Sequence, residues 1–180
     1  MAGDEWIVNA LARAAHACTD TAEQLCADGV ATEHLAAVVA PRRVLIWTRP
    51  ARMQSLGTVW RIGPLLLDAG GHLYAAGQAT RAAERGRPSY QSESREERRE
   101  IAAAALRGGF AAGDPVNFDA VPLPLTEDLL TLTSDSELPI GLANGEVRVR
   151  WRPGASLEGA QTLAAFLHDR AALLRNPVPE

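Results

Sequence analysis

The stretch Val59–Ala82, VWRIGPLLLDAGGHLYAAGQATRA, constrains the fold most, because two apolar arms around a Gly-rich turn bury themselves best as a β-hairpin. With DAGG as a four-residue loop, Leu67 closes the ladder opposite His72. The pairs Leu66 with Leu73, Pro64 with Ala75, Ile62 with Gly77 and Trp60 with Ala79 then line one face, read as core. The other face pairs Leu65 with Tyr74, Gly63 with Ala76 and Arg61 with Gln78. Small residues there form a floor flanked by an aromatic ring and a cation. Gly63-Pro64 marks a bulge or an edge, since proline cannot donate to a ladder.

Around this hairpin the sequence predicts an α+β fold: a mostly antiparallel sheet of five or six strands, with two long helices and shorter helices packed on it. Asp4 caps a first helix running to Ala27, its stripe including Trp6, Ile7, Ala10, Leu11, Ala14, Cys18, Leu25 and Cys26, and Gly29 ends it. A shorter helix is expected between Thr32 and Pro41, a strand over Arg43–Arg49, and a connection through PARMQSLG. Ser94 and Glu97 form a capping box for a helix that buries Ile101, Ala105 and Leu106 and stops at Gly108-Gly109.

Further on, Val116, Phe118 and Ala120 alternate with Asn117 and Asp119 as a strand, and TEDLLTL suggests a short helix capped by Thr126. In LPIGLANGEVRVRW, Asn144-Gly145 favours a type I′ hairpin. Val147, Val149 and Trp151 give that hairpin a core face, and Arg148, Arg150 and Arg152 a cationic one. A last helix is expected from Ser156, with Leu163, Phe166, Leu167 and Leu174 on its buried side and Asn176-Pro177 at its end. A length of 180 residues fits one domain spanning the chain.

Charge is uneven. The sum is minus 5 over residues 1–41, plus 6 over 42–107, minus 7 over 108–147 and plus 2 beyond. No acid stands between Glu33 and Asp68, whereas Arg42, Arg43, Arg49, Arg52 and Arg61 do. Such a block either attracts an anion or meets the acidic segments of its own fold. The net charge of −4 and the few aromatics argue against a nucleic-acid binder. An acidic N-terminus interrupted by Asn9 and Arg13 does not suit a secretory signal, and no run approaches the roughly 20 apolar residues of a membrane span. A cytoplasmic protein without membrane contact is expected.

All 18 basic residues are arginine. The absence of lysine excludes a P-loop lysine, Schiff-base chemistry and Ser-Lys nucleophile pairs. No GxSxG turn or Gly-rich phosphate loop occurs, and the histidines at 16, 34, 72 and 168 lack metal-ligand spacing, so neither metal nor cofactor is expected. Cys18 and Cys26, eight apart on one helix, are about 12 Å apart and cannot bridge. His16 and Cys18 point about 200° apart on that helix, so they do not form a nucleophile and base.

In order, VWRIGPLLLDAGGHLYAAGQATRA, the Arg-rich helix, AALRGGFAAGDPVNFDAVPL, the Asn-Gly hairpin ending in VRVRW and the closing LAAFLHDRAALL resemble an uncharacterised family of small actinobacterial proteins. The resemblance covers most of the chain from Val59. Some members carry the name glutaminase, which implies an amide hydrolase, yet serine glutaminases and amidase-signature enzymes need a lysine. Amidotransferase-type enzymes need a cysteine on a Gly-bounded turn, so no catalytic residue carries over. The residues themselves favour a domain that binds a protein partner or a small anion through an arginine-bearing sheet face, with Arg61, Tyr74, Gln78, Arg148 and Arg150 as its ligand-binding candidates. A homo-oligomer burying the apolar hairpin edge is a further reading.

Overall fold

The computed structural model describes residues 2–44, 47–86, 93–126 and 137–176. They form an α+β fold with three helices, one seven-stranded, mostly antiparallel mixed sheet and two small two-stranded sheets. The chain divides into two compact units: Met1–Ala31 with Trp60–Ala75 and Val121–Glu180, and Thr32–Val59 with Ala76–Ala120.

In the first unit, helix α1 (Ala2–Ala27) buries Ala10, Leu11, Ala14, Cys18, Ala22 and Leu25, spaced at the helical period. Trp6 and Cys26, expected on that stripe, are exposed. Gly29 at φ 64° ends the helix: its N–H reaches the Cys26 carbonyl and the Val30 N–H the Leu25 carbonyl, a Schellman arrangement. Val30 and Leu25 belong to the core that this turn closes. Helix α3 (Leu163–Arg175) buries Leu163, Phe166, Leu167 and Ala171 in the same core. It starts at Thr162, whose Oγ1 accepts from the Ala165 N–H, and not at Ser156. Ser156 Oγ instead accepts from the Glu158 N–H in a local turn, and Gly159 at φ 72° prevents a helix from running through.

Strands β10 (Ile140–Ala143) and β11 (Glu146–Val149) pair as expected, with Asn144 and Gly145 at φ 53° and 75°. Arg13 ties α1 to this hairpin through Glu146 at 2.9 Å and the Gly145 carbonyl at 2.8 Å. Val147 and Val149 are buried, but Trp151 lies past the strand end and is 75% exposed.

The second unit corrects several expectations. Thr32–Pro41 is no helix: strand β1 (Glu33–Val39) lies there, paired antiparallel with β4 (Arg52–Ile62) and parallel with β8 (Pro115–Phe118). Pairing on both sides overrides the helix propensity of its alanines. The PARMQSLG connection is the start of β4. Leu56 is the extra residue of a bulge, since Leu35 pairs with Gly57 and Ala36 with Ser55, and Gly57 takes φ 135°. That bulge breaks the period-two signal and leaves Leu56 exposed.

The single strand expected over Arg43–Arg49 is two, β2 (Arg42–Val44) and β3 (Trp47–Arg49), paired with each other. Helix α2 (Glu93–Arg107) includes Ser94 in its first turn. Ala103, Ala104 and Ala105 are its buried residues, while Ile101 and Leu106 are half-buried. Strand β8 buries Asn117 completely, where alternation predicts an outward residue, and is followed by Asp119, which takes φ 54°. The Asn117 amide donates to Glu33 Oε2 at 2.7 Å and to the His34 carbonyl at 3.1 Å, so the buried polar group is satisfied. The helix expected after Thr126 lies outside the described residues.

The opening hairpin also differs. The chain turns at Gly63-Pro64, with Gly63 at φ 60°, so β4 ends at Ile62 and β5 (Leu65–Asp68) follows. Strand β5 pairs with β6 (Leu73–Ala75) in the register Leu65 with Ala75, Leu66 with Tyr74, and Leu67 with Leu73. The Asp68 N–H bonds the His72 carbonyl, so the loop is the three residues Ala69-Gly70-Gly71, with Gly71 at φ 79°. A loop one residue shorter than expected shifts every pair by one. Residues Gln78–Arg81 form β7, paired with β8 and not with the Trp60 arm. Strand β9 (Val121–Pro122) pairs with β6, giving the sheet order β7-β8-β1-β4-β5-β6-β9.

Gly77 sits where a Cβ would lie 2.2 Å from the Asp119 carbonyl oxygen. Its φ is not positive, so the requirement for glycine is steric. Gly77→Ala is expected to lower stability by about 1–3 kcal/mol, the usual cost of overpacking. Urea unfolding reads this as a reduced midpoint at constant slope, and an unchanged midpoint contradicts the close approach.

Candidate functional site

The five candidate residues sit on different elements. Arg61, half-buried near the end of β4, belongs to the first unit with Tyr74, Arg148 and Arg150, whereas Gln78 belongs to the second. The Gln78 amide faces Asp119 Oδ2 at 3.4 Å. Tyr74 donates its hydroxyl to Asp68 Oδ2 at 3.4 Å. Burial and the Asp68 charge push its pKa up, which keeps the phenol protonated.

Arg148 and Arg150 share a hairpin, where both cap backbone carbonyls. Arg150 is 8% exposed, and its guanidinium donates to the carbonyls of Ile140 at 2.8 Å and of Leu138 and Ala155 at 3.1 Å. Gly141 leaves the room for it, since a Cβ there would lie 3.0 Å from Arg150 Nη1. Arg148 donates to the Ala143 carbonyl at 3.1 Å and to that of Ala160. A planar guanidinium with five donors suits this role, because buried carbonyls at loop ends have few other partners. These contacts engage much of the donor capacity that a ligand would use.

The second unit holds a different arginine cluster. A groove of about 500 Å³ is lined by Arg42, Arg49, Arg52 and Arg107 with Val39, Ala40 and Pro50. Each arginine has a distinct structural cause. Arg42 and Arg49 are directly opposed in the β2–β3 ladder, and Arg52 opens β4 opposite Val39. Arg107 occupies the last turn of α2, where a cation complements the helix dipole. Its Nε donates to the Ala51 carbonyl at 2.7 Å and its Nη2 pairs with Glu100. Arg42, Arg49 and Arg52 were visible in the sequence as an acid-free basic block, but Arg107 lies 55 residues further on and only the fold brings it in.

No family model, curated protein or solved structure matches the chain.

Among the described residues no group of three or more His, Cys, Asp or Glu side chains is placed to hold a metal ion, and no helix is long and apolar enough to cross a membrane. Cys18 is fully buried, and burial pushes its thiol up to about 12, so it is protonated and shielded at neutral pH. Cys26 is exposed.

Two outcomes follow. At pH 8 one thiol, Cys26, reacts rapidly with a disulfide reagent, while Cys18 reacts only as the protein unfolds; two fast thiols would contradict the burial. Arg150→Ala, which strips three carbonyls of a charged donor, is expected to cost about 3 kcal/mol in chemical denaturation. A loss below about 0.5 kcal/mol, usual for a surface site, would show that Arg150 is not structural.

Proposed function

We propose that the protein binds a small anion bearing phosphate or carboxylate groups in the groove of Arg42, Arg49, Arg52 and Arg107. The observation that carries this reading is the direct opposition of Arg42 and Arg49 across β2–β3. Like charges facing each other in an antiparallel pair are destabilising, and an anion between them converts the repulsion into two charge-assisted interactions. Arg52 and Arg107 add positive charge at the same groove, and Val39, Ala40 and Pro50 give it an apolar wall. The concavity favours a small ligand over the broad flat contact of a protein partner.

Arg61, on β4 of the seven-stranded sheet, is a competing location for the same chemistry, separated from the groove by mutation. The amide-hydrolase reading rests on the resemblance alone, since Cys18 is unsuited to nucleophilic attack. Two unbridged thiols fit a reducing, cytoplasmic setting.

Calorimetric titration with inorganic phosphate, pyrophosphate and citrate tests the proposal. Pyrophosphate and citrate are expected to bind more tightly than phosphate, because they bridge several guanidinium groups. Arg42→Ala and Arg49→Ala should each weaken binding by about tenfold, about 1.4 kcal/mol. Binding should also weaken as salt is raised. Loss of binding in Arg61→Ala with retention in Arg42→Ala would move the site to the other face, and no heat with any of the three anions would defeat the proposal.

A further inference from the structure

The first unit contains a second concavity, of about 490 Å³, whose polar groups are arranged differently from the arginine groove. Its walls include Ala15, Leu73, Leu123 and Leu125, and its rim carries Thr19, His72 and Tyr74 beside the Gly70-Gly71 turn. The rim donors are already directed inward. The amides of Gly70 and His72 donate to Asp68 Oδ1 at 2.9 and 2.8 Å, and that of Gly71 to the Asp68 carbonyl at 3.1 Å. Tyr74 donates its hydroxyl to Asp68 Oδ2, and Thr19 donates to the Ala15 carbonyl at 3.2 Å.

His72 Nδ1 lies 2.9 Å from Asp68 Oδ2. An ionised carboxylate only accepts, so Nδ1 carries the hydrogen, and in the neutral imidazole Nε2 holds a lone pair. Three side chains on the rim therefore present lone pairs: His72 Nε2, Thr19 Oγ1 and Tyr74 Oη. Engagement of the turn amides also removes the donors that an oxyanion hole would need, which favours binding over acyl chemistry.

From this donor and acceptor pattern we infer that the cleft binds a small apolar molecule whose head group donates hydrogen bonds, an ammonium or a hydroxyl, with His72 Nε2 as its principal acceptor. An acidic head would face those lone pairs with the Asp68 carboxylate bonded behind His72 and Tyr74. The site is distinct from the arginine groove in residues and in sign, and its failure would leave the anion proposal standing.

The test uses the full chain at pH 8 and three ligands sharing one body: phenethylamine, 2-phenylethanol and phenylacetate. Proton NMR of the His72 ring is the readout, assigned by its loss in His72→Phe. The amine and the alcohol are expected to shift this resonance saturably, and phenylacetate to leave it unmoved. Calorimetric affinity should fall about tenfold in His72→Phe and by a smaller factor in Thr19→Val, in line with the loss of one and then a weaker acceptor. Tighter binding of the amine identifies an ammonium ligand, and tighter binding of the alcohol a hydroxyl ligand. The inference is overturned if phenylacetate binds as well as the other two, if none of the three moves His72, or if His72→Phe binds with wild-type affinity. Both variants alter side chains outside the buried core, so a folded protein is available for each measurement.

Discussion

The strand β4 has to serve two different cores with one backbone, and most of the local geometry follows from how it does so. Seven of its first eight residues pair with β1, where Met53 is buried beside Ala36, Phe110 and Val116. Its last three supply Trp60 and Ile62 to the core built on α1 and α3. A regular strand would keep one face inward throughout. The bulge at Leu56-Gly57 breaks that regularity, and Val59 and Trp60 are both buried directly after it. Trp60 is then fixed by its indole N–H, which donates to the Val30 carbonyl at 3.0 Å just past the Schellman turn of α1. The polar end of a buried indole is thus satisfied by a carbonyl that the helix ending leaves available.

The absence of lysine gives the arginines a visible division of labour. Arg13, Arg81, Arg107, Arg148 and Arg150 all donate to backbone carbonyls, at a hairpin turn, a loop, a strand entry and the two ends of β10. A guanidinium can do this while its aliphatic stem covers apolar surface. Acids are the second kind of partner: Arg85 pairs with Glu96 and Glu100, Arg175 with Asp28, and Arg13 and Arg107 also pair with Glu146 and Glu100. A directly opposed pair such as Arg42 and Arg49 serves neither use, which is what marks the groove beside them. The cationic face expected from VRVRW has its alternation, but the guanidinium groups curl back onto their own hairpin and the loops around it.

Elements whose signals are local were legible in the sequence. Helix α1 had its period and its terminal glycine, α2 its Gly-Gly stop, and the Asn144-Gly145 hairpin its turn chemistry. Elements decided by partners were not. Strand β1 contains alanines that suit a helix, and only two flanking strands make it extended. Strand β4 hides its pattern behind a bulge, and Asn117 is polar yet buried because Glu33 and the His34 carbonyl meet it. The arginine groove was half legible: an acid-free block announced Arg42, Arg49 and Arg52, while the arrival of Arg107 depends on α2 ending with Gly108 against the Met53 carbonyl, where a Cβ would lie 2.3 Å away.

The cleft at His72 was illegible for a single geometric reason. With a four-residue loop, Tyr74 faces Leu65 and shares a side with Arg61 and Gln78. The actual loop of three residues places Tyr74 opposite Leu66, and Asp68 and His72 follow two positions along on the same side of their strands. One residue of register therefore takes the phenol away from the arginine and brings it to the carboxylate. The loop itself is selected by Asp68, whose side chain accepts from the amides of Gly70 and His72, and by Gly71, whose backbone passes so near α1 that a Cβ would touch Thr19. The residues that set the register are thus the ones that orient the histidine, so the acceptor rim of the cleft is a direct product of the turn and requires no separate device to hold it.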